Sequence, residues 1–231
     1  MINDTYLDKK ISVNLIQMDK EKKENHIPSG KLSASMLWWP LQWQILKMKG
    51  VPPKEFDEYV LRKFLRGNHV EDWLIEQMGN SVIDTQCQVE YRDVIGFIDA
   101  IVDMKLWENK LGIIPHEIKS VSNAKYRNIL RQKSPDKAHL LQACLYAMAT
   151  GKKHFAIDYV ATDDYRVTTY IYKTEDYQDE VEKIIDEFNR QLEIGVPVFE
   201  PREKWQAKAE YNNYPDWMEL TEEEISNKLG V

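Results

Sequence analysis

The chain has 231 residues, of which 43% are hydrophobic and 30% charged, and its net charge is −7. That length can bury a core without staples, and no apolar run reaches the roughly eighteen residues a membrane helix needs. The acid excess excludes a wholly basic nucleic-acid coat but leaves room for a local acidic cluster that holds cations. Cys87 and Cys144 alone form neither a disulfide framework nor a metal set. With a polar start and no signal-peptide pattern, they point to a reducing, cytoplasmic compartment, a bacterial host cell or its equivalent.

In chain order, residues 1–30 are polar and weakly periodic, which reads as an irregular arm or a short strand. Ser33 or Ser35 can cap a helix over 36–49, where Leu37, Leu41, Ile45 and Met48 recur at helical spacing. Gly50, Pro52 and Pro53 end it. A second helix fits 55–78, stopped at Gly79, with Gly67 marking a split or a close backbone approach. Strands fit 82–91 and 94–104, turned at Arg92 and Asp93, and then 112–121. Residues 122–133 read as a basic loop with a short helix. Ser134, Pro135 and Asp136 open a helix that ends near Gly151. Strands over 155–161 and 166–172 meet at Asp163 and Asp164, which read as a turn. Thr174 can cap a helix over 175–194, stopped by Gly195 and Pro197. A short helix can begin at Thr221 in the aromatic, acidic tail. This order predicts an α/β fold, a central mixed β-sheet flanked by helices in three layers, with helices at the N-terminus. One domain is expected, with a core over about 55–195, an N-terminal helical region over 30–54 and a tail over 196–231.

Two short segments carry the chemistry. Gly96 and Asp99 lie on one predicted strand, and Glu117, Ile118 and Lys119 on the next. Side chains alternate along a strand, so Glu117 and Lys119 share a face while Ile118 turns into apolar packing. Ile95, Phe97, Asp99 and Ile101 share a face of the other strand, and a suitable register sets Asp99 beside Glu117. Two close carboxylates are costly unless a cation sits between them. Mg²⁺ or Mn²⁺, which prefer oxygen ligands, suit that position and would activate water for phosphodiester hydrolysis. Lys119 can hold that water or stabilise developing charge. The competing reading is an ordinary salt bridge between strands. Nearby, Lys119, Lys125, Arg127, Arg131, Lys133 and Lys137 form the clearest basic segment, a candidate phosphate-contacting surface or a solvated face.

Four landmarks in order resemble the RecB-like, lambda-exonuclease-like branch of the PD-(D/E)xK nuclease superfamily. They are Gly67 to Glu71, Gly96 with Asp99, Glu117 with Lys119, and Gln142 with Tyr146, a Q-x-x-x-Y pattern on the helix after the core strands. Leu32 to Ser35 resembles the start of such proteins. The resemblance spans roughly residues 32–194. It implies a restriction-endonuclease-like core and a Mg²⁺- or Mn²⁺-dependent deoxyribonuclease, an exonuclease serving recombination, repair or phage and mobile-element DNA processing. Asp99, Glu117 and Lys119 would be catalytic. Glu71, Asp99, Glu117 and the Ile118 carbonyl would ligate metal. Gln142 and Tyr146 would border the site and help position DNA or the catalytic groups. His69 competes with Glu71: the two point about 200° apart on a helix, so one of them faces the metal, and the family spacing favours Glu71. DNA is the implied substrate, with a single-strand-annealing protein, recombinase or helicase as the class of delivering partner, and a homo-oligomer is open. A structure-specific endonuclease and a non-cutting DNA-binding or assembly protein are the alternatives. The iron–sulfur variant of the family needs four cysteines and is excluded on ligand count.

Other features take structural readings. Asp103 is expected at a strand end. Trp38, Trp39 and Trp43 are expected to pack rather than stack on bases. Trp205, Tyr211, Tyr214 and Trp217 form packing or an interface.

Overall fold

The computed structural model describes residues 6–24, 29–108, 110–208 and 212–230. The segment read as an arm or strand is instead a helix, α1 (Tyr6–Glu24). Local periodicity misses it because its apolar residues are poorly buried: Leu7, Val13 and Met18 are exposed. It is held partly from outside, by Arg62, whose guanidinium reaches the Asp8 carboxylate at 2.8 Å and the Ser12 hydroxyl at 3.0 Å. Tyr211 lies outside the described residues.

The predicted 36–49 helix starts later, as α2 (Leu41–Met48). Proline disfavours helical backbone in the residue before it, so Pro40 stands at the N-cap and residues Ala34–Met36 form only a 3₁₀ turn. The two-residue strand β1 (Leu32–Ser33) precedes it. Next comes α3 (Glu58–Met78), capped where Asp57 Oδ1 accepts the Val60 N–H at 2.9 Å. It runs unbroken through Gly67. The helix passes Ser120 there at ordinary contact distance, since a Cβ on Gly67 would stand 3.5 Å from Ser120 Oγ.

The sheet is mixed, as predicted, and has six strands where the sequence pattern predicts five, β1 being the addition. β2 (Val82–Tyr91) and β3 (Val94–Asp103) form an antiparallel hairpin. β4 (Ile113–Val121) pairs antiparallel with β3, then parallel with β5 (His154–Ala161), which pairs antiparallel with β6 (Val167–Lys173). Since β2 occupies one edge of β3, β1 and β4 share the other. β1 meets Val94 and Ile95, and β4 meets Ala100 to Asp103. Between them, residues 96–99 of β3 have no strand on that edge.

Between β4 and β5 lies α4 (Asn123–Gln132), capped by Ser122, followed by α5 (Lys137–Ala149). After β6, a 3₁₀ turn at Thr174–Asp176 leads into α6 (Gln178–Ile194). The tail ends in α7 (Glu222–Leu229), with a capping box between Thr221 and Glu224. The larger core joins α5 and α6 to one face of the sheet. A smaller core joins Val70 and Leu74 of α3 to Ile114 and Ile118 of β4 and Ala156 and Val160 of β5 on the other. A third cluster docks the tail on α2, with Tyr214, Trp217 and Ile225 around Trp43 and Leu46. Trp38 and Trp39 pack at the rim of the larger core. The tryptophans at 38, 39 and 43 therefore serve packing, as do Tyr214 and Trp217.

One sequence expectation fails inside β3. Val94 and Ile98 belong to the larger core, so strict alternation would put Ala100 and Val102 there too. They belong to the smaller one, and Ile101 packs against the larger. The alternation slips between Ile98 and Ala100, at Asp99, so Asp99 and Ile101 do not share the face of Ile95 and Phe97. The partner strand distorts at the same level. Gln86, opposite Asp99 between the pairs Thr85–Ala100 and Cys87–Ile98, has φ 50°, a conformation L-residues seldom adopt.

Candidate active site

Ala100 and His116 form the last β3–β4 pair, so the next register step sets Asp99 against Glu117. There the two strands part. The freed N–H of Ile118 donates instead to Asp99 Oδ2 at 2.7 Å, which fixes the Asp99 carboxylate in the fork. Glu117 is fully buried, and its Oε2 accepts no hydrogen bond. The Lys119 ammonium forms an ion pair with it and keeps about 28% of its side-chain surface. On α3, Glu71 accepts a hydrogen bond from Gln86 Nε2. Glu71 lines both a cleft of about 460 Å³ shared with Lys119 and a neighbouring one of about 600 Å³ shared with Asp99 and Gln86. His69 is exposed on the same helix, so Glu71 is the residue of the pair that lies with the other acids.

The electrostatics follow from this crowding. Burial pushes Glu117 up to about 8; Lys119 opposes the shift and Asp99 and Glu71 add to it. Burial and the nearby Asp99 push Glu71 up to about 7, against the Gln86 hydrogen bond. Burial also raises Asp99, with Lys119 and the Ile118 N–H opposing. Burial alone would lower the Lys119 ammonium. Glu117, Asp99 and Glu71 together outweigh that and hold it above its ordinary value. Three acids that resist ionising side by side, one with a buried oxygen that no donor meets, fit a hard divalent cation in their donor chemistry. Among the described residues no three His, Cys, Asp or Glu side chains already converge as a finished cage.

Gln142 and Tyr146 stand behind this cluster rather than in front of it. Both are buried, and Gln142 Nε2 donates to the Tyr146 hydroxyl at 2.9 Å. The Tyr146 ring lies flat against β3: a Cβ on Gly96 would fall 2.5 Å from its Cε1. Neither side chain is open to solvent, so of the two roles the resemblance implies, this placement suits positioning of the catalytic groups. Gly96 is there to admit Tyr146, not a ligand.

Two residues escaped the sequence reading. Gln86 touches Glu71 only because its backbone takes a left-handed turn inside a strand, and nothing local signals that. His139 lies one helical turn before Gln142, so the spacing of α5 could have found it. Its Nδ1 is 2.8 Å from the Tyr159 hydroxyl, and Tyr159 is the β5 neighbour of Lys119.

The remaining candidates fall where structure explains them. Asp103 Oδ1 accepts the Lys105 N–H at a strand end. Asp164 holds Arg166 in the β5–β6 turn. In the basic segment, Lys125 and Lys137 pair with Asp136 and Glu180, while Arg127, Arg131 and Lys133 are exposed.

The fold defined by this sheet and its fork is that of a known nuclease structure. Over 71% of this chain and 89% of the other, it matches the alkaline exonuclease LHK-Exo from Laribacter hongkongensis, with 14% identity and a TM-score of 0.53. The complex of LHK-Exo with dAMP gives 15% identity and a TM-score of 0.54 over the same shares. The structure of SSO0001 matches over 91% of this chain and 98% of its own, at 16% identity and a TM-score of 0.54. No protein-family model and no curated protein sequence matches the chain. The fold likeness agrees with the PD-(D/E)xK resemblance drawn from the motifs.

Proposed function

We propose that the chain is a divalent-cation-dependent deoxyribonuclease that hydrolyses phosphodiester bonds, acting from DNA ends. The observation that carries this reading is Glu117, a fully buried carboxylate whose Oε2 meets no donor and whose Oε1 meets only the Lys119 ammonium, flanked by Asp99 and Glu71. A chain has little reason to bury such a group unless a cation completes it. The likeness of the fold to an alkaline exonuclease supports the same class.

In this reading Asp99, Glu117, Glu71 and the Ile118 carbonyl hold Mg²⁺ or Mn²⁺, which when bound supplies charge neutralisation and a more acidic water. Lys119 donates to the water that attacks phosphorus or to the phosphoryl oxygen that gains charge. The water oxygen forms the new P–O bond, the ester P–O bond breaks, and the leaving oxygen takes up a proton. The Ile118 N–H holds Asp99 in place, Gln86 holds Glu71, and Tyr146 with Gln142 backs β3 against α5. These are positioning roles. Delivery of DNA by an annealing protein, recombinase or helicase belongs to the same proposal, as does a single domain built around the 55–195 core.

The test uses end-labelled linear DNA and closed circular DNA, with Mg²⁺, with Mn²⁺ and with chelator. Cation-dependent loss of linear DNA alone, abolished in Lys119→Ala, is expected. Cutting of circles would replace the exonuclease by an endonuclease. No cutting with either cation, or undiminished cutting by Lys119→Ala, would overturn the catalytic assignment.

A further inference from the structure

His139 is the polar residue nearest this site that the proposed chemistry leaves unused. The sheet register sets Tyr159 beside Lys119. Tyr159 is itself fully buried, so its hydroxyl must find its partners inside the protein. It has two: the Asp136 N–H donates to it at 3.0 Å, and His139 Nδ1 lies 2.8 Å away. Tyr170, the adjacent phenol, spends its own proton on the Ile129 carbonyl at 3.2 Å. The one proton of the Tyr159 hydroxyl is therefore left for His139 Nδ1, which makes Nδ1 an acceptor and puts the imidazole proton on Nε2. Nε2 has no hydrogen-bond partner among the described residues and is not a buried atom, so it meets solvent. Burial, then Lys119 and Lys125, pull the imidazolium down to about 3, so the ring is neutral in any working buffer.

α5 thus carries three side chains on one face, His139, Gln142 and Tyr146. Tyr146 reaches β3 at Gly96 and His139 reaches β5 at Tyr159, so the helix crosses the β4 strand that holds Glu117 and Lys119. The two later residues are sealed in, and His139 keeps an outward N–H next to Lys119 and Lys125. A fixed neutral donor near two ammonium groups is suited to an anion with several acceptor oxygens.

We propose that His139 is a substrate-contact residue, donating its Nε2–H to a non-bridging phosphate oxygen of the nucleic-acid strand at the cleft. This deepens the nuclease reading and rests on it. The tautomer imposed by Tyr159 makes the donor permanent, so the contact does not depend on protonation. A hydrogen bond to a charged acceptor is worth roughly a ten- to hundred-fold change in affinity.

The experiment measures binding of a short fluorescent DNA duplex by anisotropy, with Ca²⁺ in place of Mg²⁺, using the full chain and two variants. His139→Asn keeps an amide near the Nδ1 position for Tyr159 and removes the outer donor; His139→Gln carries an amide out to the Nε2 position. The expected result is affinity roughly tenfold or more weaker for His139→Asn and largely restored in His139→Gln. In cleavage, His139→Asn should raise KM and leave kcat nearly unchanged. A neutral methylphosphonate placed at successive positions should weaken wild type at one position where His139→Asn shows no further loss. Equal binding by wild type and His139→Asn, or a methylphosphonate profile that His139→Asn leaves unchanged, would overturn the proposal. So would nitrogen NMR showing the proton on Nδ1. Because binding and tautomer are read without cleavage, their failure is distinct from the absence of nuclease activity, which would overturn the underlying reading instead.

Discussion

Replacing Glu117 by Gln should make the metal-free protein progressively more stable relative to wild type as pH rises. Glu117 ordinarily ionises near 4.5, and in the folded chain burial holds it up to about 8. Below 4.5 it is protonated in both folded and unfolded states, so it costs nothing. Between those values the unfolded chain releases a proton that the folded one retains, and stability falls with pH; above about 8 the loss levels off. At about 1.4 kcal/mol per unit, the penalty is roughly 1 kcal/mol at pH 5 and roughly 4 kcal/mol at pH 8. Gln removes this pH-dependent part but keeps the buried polar volume, and Lys119 loses its closest counter-charge, so the absolute offset is not the readout. The change in offset is. Between pH 5 and pH 8 the Tm of Glu117→Gln should rise relative to wild type by the equivalent of about 3 kcal/mol, or roughly 6–12 °C for a chain of this size. Thermal unfolding followed by circular dichroism, in chelator, gives it directly. A wild-type-to-variant difference that stays flat across this range would refute the picture of Glu117 as a buried acid waiting for a cation.

Four further outcomes follow from the geometry. Glu71→Gln should lower cleavage at least tenfold, as loss of a metal-binding group does, while His69→Ala should stay within about twofold of wild type in the same assay. Gln86→Ala frees Glu71 and should raise the Mn²⁺ concentration for half-saturation, read by calorimetry, by roughly tenfold. Gly96→Ala drives a methyl group to 2.5 Å from Tyr146 Cε1 and 2.8 Å from the Ala34 Cβ; a loss of about 1–3 kcal/mol is expected in denaturant melts, partly recovered by trimming Tyr146 to Leu. Thr221→Ala removes the hydroxyl half of a capping box, the Oγ1 that accepts the Glu224 N–H, and should cost about 1 kcal/mol, seen as faster amide exchange confined to α7.

Much of this was legible in the residues because two periodicities did the work. Alternation along β4 put Glu117 and Lys119 together and Ile118 in apolar packing, and the helical repeat put Gln142 and Tyr146 on one face. Stop signals at Gly79, Gly151 and Gly195 bounded the elements well. What escaped was of three physical kinds. Depth was one: the helical face of Gln142 and Tyr146 was right, but spacing alone cannot tell a wall from the support behind it, and Gly96 admits the ring. Backbone distortion was another, since the slip at Asp99 and the left-handed Gln86 arise from the two strands adjusting to each other. The third was tertiary support for weak local signals, as in α1, which leans on Arg62, and α2, whose start Pro40 delays. Helix geometry set Glu71 and His69 on different faces and the family spacing favoured Glu71, but which way the helix faces is a tertiary fact.

The docking of the tail on α2 has a consequence for how the chain is made. Gln42 donates to the carbonyl of Trp217, 175 residues later, and Trp43 and Leu46 are covered by Tyr214, Trp217 and Ile225. At bacterial to eukaryotic rates of about 5–20 residues per second, the ribosome needs roughly 10–35 seconds to reach their cover after making them. For that interval an indole and a leucine side chain stand uncovered on a nascent chain whose sheet is already being assembled. Synthesis of residues 214–225 is thus also the covering of α2. A ribosome stalled before residue 217 should display a sticky, chaperone-binding intermediate that the finished protein does not.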